Sequence, residues 1–511
     1  MKKIILLLCL TTWVATGQDL SLEEMSISDL QAAYKSGKMT IPQATSWYLK
    51  RIQTVDPQLR SVLSVNPDAL AIAEQLEQER KAGKIRGPLH GVPVLLKDNI
   101  DTRDQMPTTA GSRALQYSFP PEDSWVTQKL REAGAVILGK ANLSEWANFR
   151  SERSSSGWSG MNGQTNNPYV LTKNPCGSSS GSGVAVSANL CMLAIGTETN
   201  GSIVCPSNAN GVVGIKPTVG LISRRGIIPI SFTQDTSGPM ARSVKDAAIA
   251  LGTMTGVDPR DEKTLASSGK SQTDYTAFLK ANALKGKRIG IYKRPLGRLK
   301  EVDELFWKAV EEMKKKGATF VELEDVTNVP GLNAASFQVL LYEFKDGLNN
   351  YLTSLGSKAP IKDLEALIEF NIQDSVEVRE FDQKLLVAAQ QKGDLTSEEY
   401  VKALSLMQEG IRQRGIDSVM AVHKLDAIVA PTGGPAWSTD PKAGDRFGIG
   451  SSSPAAMAGY PNISVPMGFV GELPVGISFF GKAWSEPTLL GIAYSYEQAT
   501  RHRRAPKFLP E

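Results

Sequence analysis

Histidine is scarce in this chain, and its scarcity narrows the chemistry. Only His90, His423 and His502 occur among 511 residues. No HExxH sequence is present and no Cys/His pair has zinc spacing, which argues against a metal hydrolase. A Ser-His-Asp triad would need one of these three histidines, and none stands in a sequence context typical of a catalytic base. We expect neither a metal nor a cofactor.

Cysteine is sparse as well. Of four cysteines, Cys9 lies in the N-terminal segment, which leaves Cys176, Cys191 and Cys205. This odd number excludes a full disulfide framework. One bridge is compatible with the sequence, but all three flank Gly/Ser-rich loops, and small buried thiols are the simpler interpretation.

The chain has no apolar run long enough to cross a bilayer. Lys2 and Lys3 precede a short apolar run at 4–14, and small residues follow it. This pattern predicts a signal peptide over residues 1–17, cleaved to leave a periplasmic or secreted protein with no membrane span. A retained anchor is the alternative, but it needs roughly 18 to 20 apolar residues.

The chain also has no large excess of positive or negative charge. The net charge of +4 falls to +2 without Lys2 and Lys3, which gives no support for a nucleic-acid partner. The composition, 41% hydrophobic and 22% charged, is typical of a soluble globular protein. Nothing in the sequence indicates an oligomeric state.

Helical and strand patterns alternate along the chain. GVPVLLKDNID, residues 91–101, is a short apolar run bounded by glycine and proline, and it predicts a buried strand with Lys97 at its end. Similar alternation recurs and predicts a mixed or parallel sheet covered by helices. We therefore predict an α/β fold: one large domain over 18–511, with a central mixed β-sheet and helices on both faces. Within it lie a Gly/Ser-rich core at about 157–245 and a mostly helical, cap-like region at about 335–420.

Lys97 is a candidate base. A free lysine is charged at pH 7, but an apolar setting disfavours the ammonium form and lowers the pKa. Val94, Leu95 and Leu96 directly precede Lys97 and supply such a setting. The alternative is a strand-end lysine paired with nearby Asp98 or another acid, and the residues alone leave both interpretations open.

A Gly/Ser-rich stretch, NPCGSSSGSGVAV, occupies residues 174–186. Backbone N–H groups of such a loop, placed before a helix, can bind an anion. The stretch has no GxxxxGK[ST] sequence and no strand before it, so nucleotide binding is disfavoured. GSSSG around Ser179 matches GxSxG formally, but it follows KNPC rather than the apolar strand of a nucleophile elbow. A tight turn against a packed helix is the remaining structural interpretation.

Six stretches of the sequence form a recognisable set: GVPVLLKDNI (91–100), LSEWANFRS (143–151), CGSSSGSG (176–183), GTETNGSIVCP (196–206), GVVGIKPT (211–218) and TQDTSGPMARSV (233–244). Together they resemble the amidase signature family, and within it the bacterial peptide amidases. The resemblance covers about residues 25–500.

The resemblance implies a catalytic relay and its residues. Ser202 falls on the family's nucleophile, Ser178 on its bridging serine and Lys97 on its base. The bridging serine follows a cis peptide bond in the family, here Gly177–Ser178. The resemblance also implies an oxyanion hole of backbone N–H groups, from Thr199, Asn200, Gly201 and Ser202.

Some positions depart from the family's usual residues. Asn200 replaces a usual glycine, and asparagine tolerates left-handed backbone better than most residues. Val204 stands where arginine is common, which removes an expected ion pair near Glu198. Cys176 and Ser180 also replace common glycines.

The resemblance implies an amide hydrolase that forms an acyl-enzyme and converts C-terminal peptide amides to free acid plus ammonia. The main alternative keeps this chemistry but acts on aryl, alkyl or fatty-acyl amides. A subunit of a tRNA-dependent amidotransferase works in the cytosol, which the signal peptide disfavours. A non-catalytic binding protein is disfavoured because Lys97, Ser178 and Ser202 all stand at motif positions.

Overall fold

Buried apolar strands meet in one 11-stranded mixed sheet, in a computed structural model that describes residues 21–511. The predicted signal peptide lies outside the described residues. The strands are β1 (Val62–Val65), β2 (Pro93–Lys97), β3 (Val136–Ala141), β4 (Trp158–Ser159), β5 (Gly163–Gln164), β6 (Leu193–Glu198), β7 (Val213–Lys216), β8 (Thr236–Ala241), β9 (Arg288–Tyr292), β10 (Thr319–Leu323), β11 (Ala427–Pro431), β12 (Asn462–Val470) and β13 (Leu473–Phe480).

The strand order of the large sheet is β1-β3-β2-β6-β8-β7-β12-β13-β11-β9-β10, and β4 pairs with β5 in a small separate ribbon. Strand β2 runs parallel to both β3 and β6, and β9 runs parallel to β10 and β11. The other neighbours are antiparallel. Every residue of β2, β3 and β6 is buried, as expected for strands covered on both faces.

Helices flank this sheet, which confirms the predicted α/β fold. They are α1 (Ile27–Lys35), α2 (Ile41–Val55), α3 (Ala69–Lys81), α4 (Trp125–Glu132), α5 (Ser180–Ser187), α6 (Val204–Ala209), α7 (Val244–Met254), α8 (Lys300–Lys315), α9 (Leu332–Ser354), α10 (Leu364–Gln373), α11 (Lys384–Gln390), α12 (Glu398–Gln408), α13 (Asp417–Val422), α14 (Ser453–Ala458) and α15 (Glu486–Thr500). Helices α9 to α13 occupy most of the region predicted to be a helical cap. No helix among residues 21–511 combines the length and the apolar character needed to cross a membrane.

The parallel pair β2 and β6 positions the site. Lys97 is the last residue of β2, and Glu198 is the last residue of β6. Because parallel strands end at the same edge of a sheet, the turn that follows β6 begins beside Lys97. Ligands of open α/β sheets bind at this carboxyl edge.

Candidate active site

Lys97 is buried at the carboxyl edge of the sheet, with three oxygen atoms around its amine. Its Nζ lies 2.7 Å from Ser178 Oγ, 2.8 Å from Thr197 Oγ1 and 3.3 Å from Thr197 O. The side chain has no solvent exposure. A neutral amine in this position has two hydrogens to donate to Thr197, and its lone pair can accept the hydroxyl hydrogen of Ser178.

The surroundings of Lys97 favour this neutral form. Burial lowers its pKa to about 7, and the charges of Asp235 and Glu198 oppose that shift only in part. Neither carboxylate is within ion-pair distance of Lys97 in the part of the chain that the structure describes. Lys97 is therefore largely neutral above pH 7.

Asp98 does not pair with Lys97. Its side chain faces Lys140 instead, with Oδ1 3.7 Å from Lys140 Nζ, and both side chains are fully buried. Thr109 donates to the other carboxylate oxygen through its backbone N–H and its hydroxyl. Since no other carboxylate of the described residues pairs with Lys97 either, the interpretation of Lys97 as a strand-end lysine paired with Asp98 or another acid is wrong.

Ser178 lies on the loop before α5, and the Gly177–Ser178 peptide bond is cis, as the resemblance implied. The neighbouring Ser179 has a different environment: its hydroxyl donates to Thr197 O at 3.0 Å and accepts from Thr197 N at 3.2 Å. Ser179 thus joins the loop to β6, and its hydroxyl is occupied.

Ser202 lies on the turn between β6 and α6, where Gly201 has a φ of +85°. Ser202 is 8% exposed, and its carbonyl accepts a hydrogen bond of 3.1 Å from Ser179 N. The backbone N–H groups of Asn200, Gly201 and Ser202 donate to no protein acceptor within residues 21–511. Free, closely spaced N–H groups of this kind are what an oxyanion hole requires.

Asn200 is held by its side chain rather than by an unusual backbone. It is not among the residues with positive φ, so the left-handed backbone expected there is absent and Gly201 supplies it. Its Oδ1 accepts from Ser452 Oγ at 2.7 Å, and its Nδ2 donates to Ser453 Oγ at 3.2 Å. Asn200 therefore ties the turn to the start of α14.

A cavity of about 380 Å³ brings these groups together. Ser178, Ser202 and the turn 199–201 line it, and Lys97 lies behind Ser178. Its other walls are largely apolar and include Phe149, Ile230, Leu340, Phe447 and Ile449. No hydrogen bond joins the Ser178 and Ser202 hydroxyls in the described part of the chain. Catalytic hydrogen bonds are often long in unliganded enzymes and tighten when substrate binds.

Cys176 and Cys205 form a disulfide beside this cavity. The simpler interpretation of three buried thiols is therefore wrong for these two residues and right for Cys191, which is free and buried. The sequence could not reveal the pairing, because the partners are 29 residues apart and meet only when two loops pack together.

Comparison with known proteins decides the family. A family model described as amidase matches residues 43–490. The chain belongs to the amidase family. This amidase is 41% identical over 499 residues to a protein named a probable amidase in Arabidopsis thaliana, and the alignment covers 96% of this chain and 92% of the relative. Amidases hydrolyse carbon–nitrogen amide bonds, so the chain is an amide hydrolase.

Peptide amidases are among the solved structures similar to this amidase. The native peptide amidase of Stenotrophomonas maltophilia is 49% identical, with a TM-score of 0.91 over 95% of this chain and 99% of that one. A peptide amidase in complex with the competitive inhibitor chymostatin is 50% identical, with a TM-score of 0.92 at the same coverage. One component of the glutamyl-tRNA(Gln) amidotransferase of Microcystis aeruginosa is 35% identical over 94% of this chain and 99% of that one.

Glu198 of this amidase does not depend on an arginine at position 204 for its interactions. Its Oε2 accepts from the backbone N–H groups of Ile203 at 2.7 Å and Val204 at 3.0 Å. The carboxylate therefore binds the N–H groups that follow Ser202. Val204 in place of arginine leaves this contact intact, because the side chain at that position takes no part in it.

Three residues of the site were not found from the sequence. Thr197 contacts Lys97 directly, and Asn99 donates to Thr197 Oγ1 at 3.0 Å. Asp235 accepts from Thr199 Oγ1 at 2.6 Å and from two backbone N–H groups. Asn99 and Asp235 lie inside the motifs KDNI and TQDTSGP, which were the only signal of their importance.

The three histidines lie outside the site. The ring of His90 is buried, and its Nε2 is 3.0 Å from Leu76 O, which is a structural contact. His423 and His502 do not line the cavity. Within residues 21–511, no three His, Cys, Asp or Glu side chains are grouped so that they could hold a metal ion.

Proposed function

We propose that this amidase hydrolyses the C-terminal amide of peptides to a free acid and ammonia. In this proposal Ser202 is the nucleophile, Ser178 the bridging group and Lys97 the base. One observation carries the mechanism: a buried lysine with a pKa of about 7 lies 2.7 Å from Ser178 Oγ, and Ser178 shares a cavity with Ser202.

The relay begins with proton transfer in two steps. The lone pair of Lys97 Nζ accepts the Ser178 hydroxyl proton while Ser178 Oγ accepts the proton of Ser202. Ser202 Oγ then attacks the amide carbonyl carbon. This is activation of a serine by an adjacent base that acts through a third group.

Charge then develops on the carbonyl oxygen. The backbone N–H groups of Asn200, Gly201 and Ser202 are free to donate to it, with Thr199 beside them. Each donor of this kind contributes roughly 10²- to 10³-fold to kcat. The intermediate collapses as Lys97 returns its proton through Ser178 to the leaving nitrogen, and ammonia departs. Water hydrolyses the acyl-enzyme by the same relay.

The space around Ser202 supports a peptide substrate. Gly450 and Ser453 line both the cavity at Ser202 and a neighbouring cavity of about 680 Å³. A peptide has backbone beyond its terminal residue, and the neighbouring cavity offers room for it. The likeness to peptide amidases at 49–50% identity, against 35% for the amidotransferase component, favours the same substrate class.

The test is ammonia release by the chain from Gln18 onward. The substrates are a short peptide amide, the same peptide as free acid, an aryl amide and a fatty-acyl amide. We expect ammonia from the peptide amide, with internal peptide bonds left intact by mass spectrometry. Turnover of only the aryl or fatty-acyl amide would replace the proposed substrate class by the broader one.

Ser202→Ala is the control for the mechanism. We expect kcat to fall by at least about 10⁴-fold, because the variant has no nucleophile. The circular dichroism spectrum and Tm should stay close to those of the parent chain. Full turnover by the folded variant would remove Ser202 from the mechanism.

A further inference from the structure

We propose that the Cys176–Cys205 disulfide is a positioning element of the active site, which holds Ser178 and Ser202 at their working separation. The inference rests on the proposed relay, since it concerns the two serines of that relay. It does not depend on which amide is the substrate.

The bond joins the two segments that carry the serines. Cys176 lies two residues before Ser178, and Cys205 lies three residues after Ser202 on α6. The two Cα atoms are 5.9 Å apart. A covalent link this close to both serines limits how far one segment can move relative to the other.

The separation of the serines depends on the backbone of these segments. No hydrogen bond joins the two hydroxyls within the described range, so the hydroxyls do not fix their own distance. Two hydrogen bonds do cross between the segments: Ser179 N to Ser202 O at 3.1 Å, and Asn210 Nδ2 to Pro175 O at 2.9 Å. The disulfide adds a covalent cross-link between them.

The backbone at Cys176 supports a role for its side chain. Its φ is +57°, in the left-handed region that favours glycine. A side chain is unfavourable there, so a cysteine at this position needs a compensating interaction, which the bond to Cys205 provides. Cys176 is fully buried, whereas Cys205 is partly exposed and lines the cavity of Ser202.

The expected consequence is a dependence of kcat on the redox state. A dithiol such as dithiothreitol transfers two electrons and two protons to the bridge, which gives two cysteine thiols and the cyclic disulfide of the reagent. We expect kcat to fall at least about tenfold, because small misplacements of reacting groups have large effects on rate. The KM for a small amide should change less than about twofold, since the bridge contributes only Cys205 to the lining of the cavity and its largely apolar walls remain.

The experiment compares three proteins, each with and without dithiothreitol: the parent chain, Cys176→Gly/Cys205→Ser and Cys191→Ser. Glycine suits the left-handed backbone at 176, so the double variant removes the bridge without straining the loop. Cys191 is a matched control, because it is buried and free, and burial raises its pKa to about 12. Thiol counting by mass spectrometry reports the state of the bridge, and Tm and circular dichroism report folding. The substrate is whichever amide the parent chain hydrolyses.

We expect low kcat in the reduced parent chain and in the double variant, and recovery of kcat when the parent chain is reoxidised. Cys191→Ser should behave as the parent chain does. An unchanged kcat in the reduced, folded parent chain would overturn the proposal. If the double variant does not fold, the reduced and reoxidised parent chain alone decides. A parent chain that hydrolyses aryl amides but not peptide amides contradicts the proposed substrate and leaves this comparison intact.

Discussion

Lys97 shows how one residue can favour function at the expense of stability. The apolar strand that holds it penalises the ammonium form, and the same penalty makes the amine a usable base near neutral pH. Thr197 supplies acceptors for the two amine hydrogens. The lone pair of the neutral amine is therefore directed towards Ser178.

The pH profile should report this lysine. Lys97 is the base only when neutral, and its pKa is about 7, so kcat/KM should rise with pH and level off above that value. Below it, kcat/KM should fall by about tenfold per pH unit, as expected for loss of one essential base. The measurement is the initial rate at low substrate from pH 5 to 9. A flat profile down to pH 5 would contradict a lysine base.

Replacing Lys97 by Met should abolish turnover and change how Tm depends on pH. Unfolded lysine has a pKa of about 10.4, whereas the folded value is about 7. Between these values the unfolded chain binds more protons, so Lys97 lowers the stability of the native state as pH falls through this range. The Tm of Lys97→Met relative to the parent chain should therefore be higher at pH 6 than at pH 10.

That comparison of Tm has a simple control. Ser202→Ala keeps Lys97, so its Tm should follow that of the parent chain at both pH values. If the Tm difference between Lys97→Met and the parent chain were the same at pH 6 and pH 10, the pKa of Lys97 would not be lowered in the folded protein.

The site residues that could be predicted from the sequence are those that belong to motifs. Lys97, Ser178 and Ser202 could be named because a family resemblance fixes their positions. The apolar run before Lys97 also indicated its burial without any comparison. Thr197 could not be assigned, because its role depends on how closely β6 lies to β2. The left-handed backbone of the turn was predicted at Asn200, but it occurs at Gly201.

At the scale of elements, a short segment forms one wall of the site. Trp146, Ala147 and Asn148 have φ values of 51°, 54° and 72°, three consecutive left-handed residues. Ala147 to Phe149 line the cavity. Arg150 holds this segment: its guanidinium contacts Glu145 at the other end and lies 2.5 Å from Glu377 Oε2, which belongs to the chain after α10.

Removing Arg150 should destabilise the protein strongly. In Arg150→Met the buried carboxyl groups of Glu145 and Glu377 lose the cation between them, and breaking a buried ion pair in this way costs about 3–5 kcal/mol. Glu145→Gln should cost much less, because burial and Glu377 already raise the pKa of Glu145. Urea unfolding of both variants provides the comparison. Equal losses would mean that Arg150 does not hold the two carboxylates together.

Some strands were missed from the sequence for a reason that the structure explains. β8 (TSGPMA) contains glycine and proline, which weaken a strand prediction. A Cβ at Gly238 would overlap the carbonyl oxygen of Ile215 on β7. The glycine is therefore required by a neighbouring strand about 20 residues away in the chain, and no local pattern records that. β2, by contrast, is an apolar run up to Lys97, and it was predicted.

At the scale of the whole molecule, the C-terminal tail packs against the Gly/Ser-rich core. Phe508 N and Leu509 N donate to Pro168 O and Tyr169 O at 3.0 and 3.1 Å, and Leu171 N donates to Leu509 O at 2.8 Å. Arg503 joins the two ends of the described chain through Glu24, at 2.7 Å. The tail thus packs against residues 168–171, which lie just before the loop that leads into α5.

Deleting residues 505–511 should lower Tm by a few degrees. Three backbone hydrogen bonds are lost, each contributing about 0.5–1.5 kcal/mol. The kcat at 25 °C should stay within about twofold, because the tail does not line the cavity. Calorimetry and a rate assay check both points, with deletion of Glu511 alone as the control. An unchanged Tm would show that the tail adds nothing to stability.

The order of the strands in the sheet also bears on when, during synthesis, the sheet can be completed. Strands β1 to β3 and β6 to β8 form one part of it and β9 to β11 another, and the hairpin β12–β13 lies between them. That hairpin spans residues 462–480 and follows all the other strands in chain order. A growing chain that ends before residue 462 holds Lys97, Ser178 and Ser202, but the two parts of its sheet have no common strand. We therefore expect hydrolysis only after residue 480 has been synthesised, so that the position of two strands in the chain determines when activity begins.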